Sequence, residues 1–213
     1  MRFEFSMRGG LKLCALAACL AAPAIPAVAQ TRVDTPPDWP CVQVFVPTLS
    51  PATIWAGPPV EDHLKTWADN SDIASLAPKV LSRSTSDDDA TAAVESFAQS
   101  LKANRNETLT ALFAGIFDEA NRARSRAIDA IRKFDGAQKA QIASMTRTVT
   151  ELDQARTASP RDEAKVRELS DRLAWQRRII EERHRSQGAL CEQPVIVERR
   201  VGQLARAIAN EMD

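Results

Sequence analysis

Leu109, Leu112, Phe113, Ile116, Phe117, Ala120, Ala123, Ala127, Ile131 and Phe134 recur at three- and four-residue spacing without a break. Only an α-helix gathers such positions on one face; a strand would need a period of two. A helix of this length with one apolar stripe must bury that stripe against other helices, so the pattern predicts an all-α protein. Composition agrees. The 213 residues contain seven Gly, no Tyr and 5% aromatics, as expected of long helices joined by few tight turns.

The pattern continues in a narrower form. Ile142, Met145, Val149 and Leu152 step by three, four and three, which is a coiled-coil seam. Ser159-Pro160 supplies an N-cap and a first-position proline, and Val166, Leu169, Leu173 and Ile180 resume a seam that Gln176 interrupts. The two seams predict an antiparallel helical hairpin over residues 137–187, about six turns a side. Asp135-Gly136 is expected to end or kink the preceding helix, Gly188 to end the second arm, and Pro194 to restart a last helix through Val197, Val201, Leu204 and Ile208. Trp175 and Ile179 lie off the seam, where they can dock a partner or the N-terminal arm. Glu181 and Arg185, four apart, can pair on a solvated face.

Upstream, Val60–Asp69 and Asp72–Ser82 read as short helical pieces, the second kinked at Pro78. Ser86 is an N-cap, and Asp87, Asp88 and Asp89 favour the positive end of the following helix, which runs to about Lys102. Asn106-Glu107-Thr108 fits a glycosylation acceptor but reads better as the next N-cap. The expected layout is thus a helical bundle over 60–135, then the hairpin and a C-terminal helix over 136–213.

Residues 1–29 read as an export signal. Arg2, Arg8 and Lys12 precede an uncharged apolar run from Leu13 to Ala22, and Ala27-Val28-Ala29 is a cleavage site. The run is too short to span a membrane. Leu16-Ala17-Ala18-Cys19 offers an alternative, a lipobox that would anchor the chain through Cys19, although the apolar stretch before it is short. Cleavage after Ala29 removes three basic residues and Glu4 from a chain with 28 of each sign, leaving 184 residues with a formal charge of −2. Residues 30–59 follow with seven prolines, so they form an extended arm and not a helix. Trp39, Ile54 and Trp55 are its apolar anchors, and Val42, Val44 and Val46 alternate with Gln43 and Phe45 as an extended contact or short strand would.

After cleavage two cysteines remain, Cys41 in the arm and Cys191 in an expected loop from Gly188 to Pro194. In an oxidising compartment the pair reads as one structural disulfide. Neither has a second Cys or His at ligand spacing, so a metal role is not expected. Glu181-Glu182-Arg183-His184 contains a single Glu-x-x-His, half of what a di-metal bundle needs, and Asp87–Asp89 lacks the Gly and Glu of a calcium loop. No Gly-x-Ser-x-Gly or Gly-rich phosphate loop is present, and the charges interleave in sign, unlike a nucleic-acid patch.

The sequence names no reaction. It leads to the expectation of a periplasmic, non-enzymatic interaction protein without cofactor or metal, whose hairpin meets an envelope protein as adaptor, assembly factor or chaperone. Two alternatives remain at this level. One is a helical bundle holding a small ligand among Trp55, Trp67, Phe97, Phe113 and Phe117. The other is a homo-oligomeric coiled coil.

Overall fold

In the computed structural model, which describes residues 35–212, the long apolar period becomes one helix that runs on past Phe134. Four α-helices follow a largely irregular arm: α1 (Ser71–Leu81), α2 (Asp87–Ser100), α3 (Arg105–Thr157) and α4 (Glu163–Asn210). Single 3-10 turns occupy Pro51–Thr53, His63–Lys65 and Trp67–Asp69. No strand occurs among the described residues. The protein is an all-helical bundle with a long antiparallel hairpin.

Each helix start has a chemical cause. The Asn70 side chain accepts from the amides of Asp72 and Ile73, Ser86 from Asp89, and Asp162 from Ala164 and Lys165. The Ser86 cap stands where the sequence places it. Asp162, and not Ser159, caps α4. Helix α3 begins one residue before Asn106, because Asn104 takes a left-handed conformation (φ 51°) that Asn tolerates better than most residues. Val60–Asp69 forms two 3-10 turns instead of a helix.

The helix breaks expected at Gly136, Gly188 and Pro194 do not occur. Gly136 lies inside α3, and Gly188 and Pro194 lie inside α4, so there is no separate C-terminal helix and Cys191 is helical. A glycine in a helix costs about 1 kcal/mol and a proline about 3 kcal/mol. Packing on both sides of each site outweighs these local penalties. Helix α3 is therefore about 80 Å long at 1.5 Å per residue.

The two long helices share two cores. One end of each joins α1 and α2 in a head whose buried centre includes Ile73, Val94, Leu112, Phe113, Ile116, Val201, Leu204 and Ile208. Trp55 stacks on Phe113 with ring centroids 4.2 Å apart, and Phe117 packs 5.9 Å from Phe113. Trp67 lies against Gly115, where any side chain would collide with the indole. Two arginines tie the helix ends together. Arg105 donates to Ala98 O at 2.6 Å and to Glu211 O at 2.7 Å, joining the ends of α2 and α4 to the start of α3. Arg200 donates to Val80 O at 2.6 Å and Thr85 O at 2.7 Å, holding the α1–α2 connection on α4. The second core, at the hairpin tip, is only Leu152, Val166 and Leu169, with Ala155 and Leu173 beside them.

Candidate interaction surface

The arm docks at the root of the hairpin. Cys41 and Cys191 stand at disulfide distance, with Cα atoms 5.6 Å apart and a sequence separation of 150. Around this staple, Trp39 meets Phe45 edge-to-face at 5.1 Å, and Arg132 lies 4.9 Å above the Phe45 ring and 3.0 Å from Asp38. Gln43 donates to Glu192 at 3.1 Å. Phe45 is buried, whereas Val42, Val44 and Val46 are exposed, Val42 at 98%. The alternation is real but its inward phase is the opposite of the valine phase, and no strand forms. Trp55 folds back over Gly57 and donates to Pro58 O at 2.8 Å, which closes the arm onto the head.

Beyond the root, the hairpin interior turns polar. Gln138 of α3 donates to Ile180 O at 3.4 Å and accepts from Arg183 at 3.0 Å. Arg183 also lies 4.2 Å above the Phe134 ring. One turn and more toward the tip, Gln176 donates to Ser144 at 3.3 Å, while its Oε1 is buried without a protein partner. Asp135, Gln138, Thr148 and Gln176 are all buried. Nearer the head, Arg124 is buried and paired with Glu198.

This polar layer corrects the expected α3 seam. Met145 and Leu152 turn inward, but Ile142 is 44% exposed and Val149 47% exposed, and Thr148 takes the interior place. Each residue advances about 100° round a helix, so Val149 falls on the flank once Thr148 faces α4. The α4 seam holds as read, through Val166, Leu169, Leu173, Gln176 and Ile180. Arg185 pairs with Glu182 at 2.6 Å and not with Glu181.

Trp175 is 58% exposed, and Ile179 beside it is half-buried. The described part of the arm leaves Trp175 uncovered, so the arm's anchors and this pair occupy separate places. Trp39 and Trp55 serve the arm; Trp175 faces solvent. On a heptad count Trp175 and Ile179 share the flank of the Arg172–Glu151 ion pair (3.8 Å), and Ile142 and Val149 take the other. Both flanks of the hairpin therefore carry exposed apolar side chains.

The aromatics considered for a ligand site behave otherwise. Trp55, Trp67, Phe113 and Phe117 are buried against one another and their neighbours, and Phe97 packs on the edge of the same core. A cavity of about 750 Å³ lies elsewhere, between the α1–α2 connection, α3 and α4, and none of these five lines it. Among the described residues no group of three His, Cys, Asp or Glu side chains is placed to hold a metal ion, and no helix is long and apolar enough to cross a membrane. The export signal and Cys19 lie outside the described residues. No known protein family, curated protein or solved structure matches this chain.

The sequence did not reveal Arg105, Arg124 or Arg200 as structural ties, since each finds its partners across the fold. Arg105 opens α3, whereas Arg200, inside α4, reaches across to the end of α1, whose free carbonyls require donors.

Proposed function

We propose that the protein is an exported, periplasmic, non-enzymatic interaction protein whose hairpin presents its flanks to an envelope protein partner, as adaptor, assembly factor or chaperone. The observation that carries this reading is the exposure of Trp175, at 58%, on a hairpin whose own packing has no use for it. Large aromatic side chains are the commonest anchors of protein interfaces, and a rigid helix presents one at little entropic cost. The cysteine pair supports an oxidising compartment, which the sequence of residues 1–29 also favours.

Site-specific photo-crosslinking in the producing cell tests this. A photoreactive residue at Arg178, beside the Trp175 flank, should give a discrete adduct with another protein, whereas one at Glu95 on exposed α2 should not. Trp175→Ser should weaken that adduct at least tenfold, about the truncation effect of a tryptophan hot spot, without changing the melting curve. Equal adducts at both positions, or none at Arg178 in the folded protein, would remove the reading. Ile142 and Val149 equally suit a second copy of the chain; an adduct of twice the chain mass would identify that case.

A further inference from the structure

We propose that the 750 Å³ cavity beside the hairpin root binds a single-chain amphiphile with an anionic head. Its floor is apolar and partly built of small side chains, Ala123 and Ala127 of α3 against Leu190 and Val197 of α4, together with Leu81 at the end of α1. Its charged lining is mainly basic, beside the neutral Thr85, Ser86 and Gln193. Arg83, Arg126, Arg199 and Arg200 line it, against the single carboxylate of Asp87, so the lining carries a net charge of +3 in a chain whose net charge is zero.

The arginines differ in availability. Arg200 is committed, since it donates to Val80 O, Thr85 O and Ser86 O and lies 3.1 Å from Asp87. That ion pair also occupies the only acidic group of the lining. Arg83, Arg126 and Arg199 are exposed and have no acidic partner among the described residues. Three free guanidiniums over an apolar floor match a carboxylate or phosphate head on a hydrocarbon tail, because guanidinium forks bind both oxyanions in a bidentate manner. A space of about 750 Å³ suits a small ligand better than a partner helix. A helix about 11 Å across fills this space within roughly one and a half turns. Helix-in-groove recognition uses anchors spread over two turns or more, whereas cavities of about 300–1,000 Å³ are the usual size for small ligands. The site is independent of the hairpin flanks, so the crosslinking experiment and this proposal can fail separately.

Calorimetric titration of the purified, disulfide-bonded protein with dodecanoate, below its micelle concentration, tests the assignment. One saturable site is expected. Dodecyl phosphate in a parallel arm separates a phosphate headgroup from a free carboxylate, and binding of either supports the proposal. Acetate, which lacks the tail, and dodecyl maltoside, which lacks the charge, should not compete. The double variant R126Q/R199Q should weaken binding at least tenfold, and Ala127→Phe, which fills the floor, should abolish it. R147Q/R156Q removes the same charge from the distal part of α3 and should leave binding unchanged. Far-UV circular dichroism confirms that each variant folds, and R126Q/R199Q keeps the test valid should Ala127→Phe not fold. Absence of saturable binding, equal binding to R126Q/R199Q, or equal competition by dodecyl maltoside would each overturn it.

Discussion

The head and the hairpin are built from the same two helices, yet they are held by different forces. In the head, α3 buries Leu109, Leu112, Phe113 and Ile116 completely, and α1, α2 and the end of α4 close round them. In the hairpin beyond the docked arm, α3 and α4 have only each other, a small apolar tip, and a seam in which Gln138, Thr148 and Gln176 interrupt Met145 and Ile180. A two-helix seam with polar residues inside loses stability but fixes register and leaves both flanks open. The head thus provides the folding free energy and the hairpin provides surface. The same chain stretch can do both because its polarity changes along its length.

The strongest way to break this contrast is to truncate each core. Phe113→Ala should destabilise the protein by about 3–5 kcal/mol, since the ring is wholly buried and its neighbours cannot close the space. Leu169→Ala should cost about 2 kcal/mol, the low end for such a truncation, because the tip can collapse or admit water. Urea unfolding gives the two values. Hydrogen exchange separates their reach: loss of protection everywhere for Phe113→Ala, but confined to the tip for Leu169→Ala. Equal costs and equal reach would show that head and hairpin are one cooperative core.

The staple lies where the two regions meet. Cys41→Ser opens a loop of 150 residues. The chain-entropy model gives about 5 kcal/mol as an upper bound for such a loop, and we expect about 2–4 kcal/mol. Melting under non-reducing conditions measures it. The Leu49 amide, which donates to Asn121 at 3.1 Å, should lose protection while those of the hairpin tip do not change. A mutant that melts with the wild type would show that the arm stays docked through Phe45 and Arg132 alone.

Much of this division was legible in the sequence, and the misreadings have a common origin. The wide stripe from Leu109 to Phe134 and the two narrow seams after it already distinguish a helix buried among several neighbours from a pair packed on each other. Local signals settled by nearby atoms, such as the Ser86 cap, were also readable. Gly136, Gly188 and Pro194 misled because their penalties are local while the packing that overrides them is not. The seam at Ile142 and Val149 misled for a related reason: hydrophobicity favours Val149 inside, but register, set by neighbours on α4, admits Thr148. The cavity had no sequence signal, since its arginines come from three stretches far apart in the chain.

The smallest expected effects concern the polar layer itself, where two glutamines on facing helices should respond with opposite sign. Gln176 makes one long hydrogen bond to Ser144, and its carbonyl oxygen is buried with no protein partner. Gln176→Leu removes that unsatisfied group and fills the seam with an apolar side chain of similar size. It should stabilise the hairpin by about 1 kcal/mol. Gln138 differs because its oxygen accepts from Arg183 at 3.0 Å. Gln138→Leu leaves that guanidinium short of an acceptor, with only the Phe134 carbonyl at 3.4 Å and the Phe134 ring nearby. It should destabilise by about 1–2 kcal/mol. Paired urea curves read both signs. If both variants stabilise, the layer only weakens the hairpin and Arg183 finds water instead; if both destabilise, the glutamines act as one packed unit. Opposite signs would mean that the hairpin interior is polar for two reasons, one tolerated and one required.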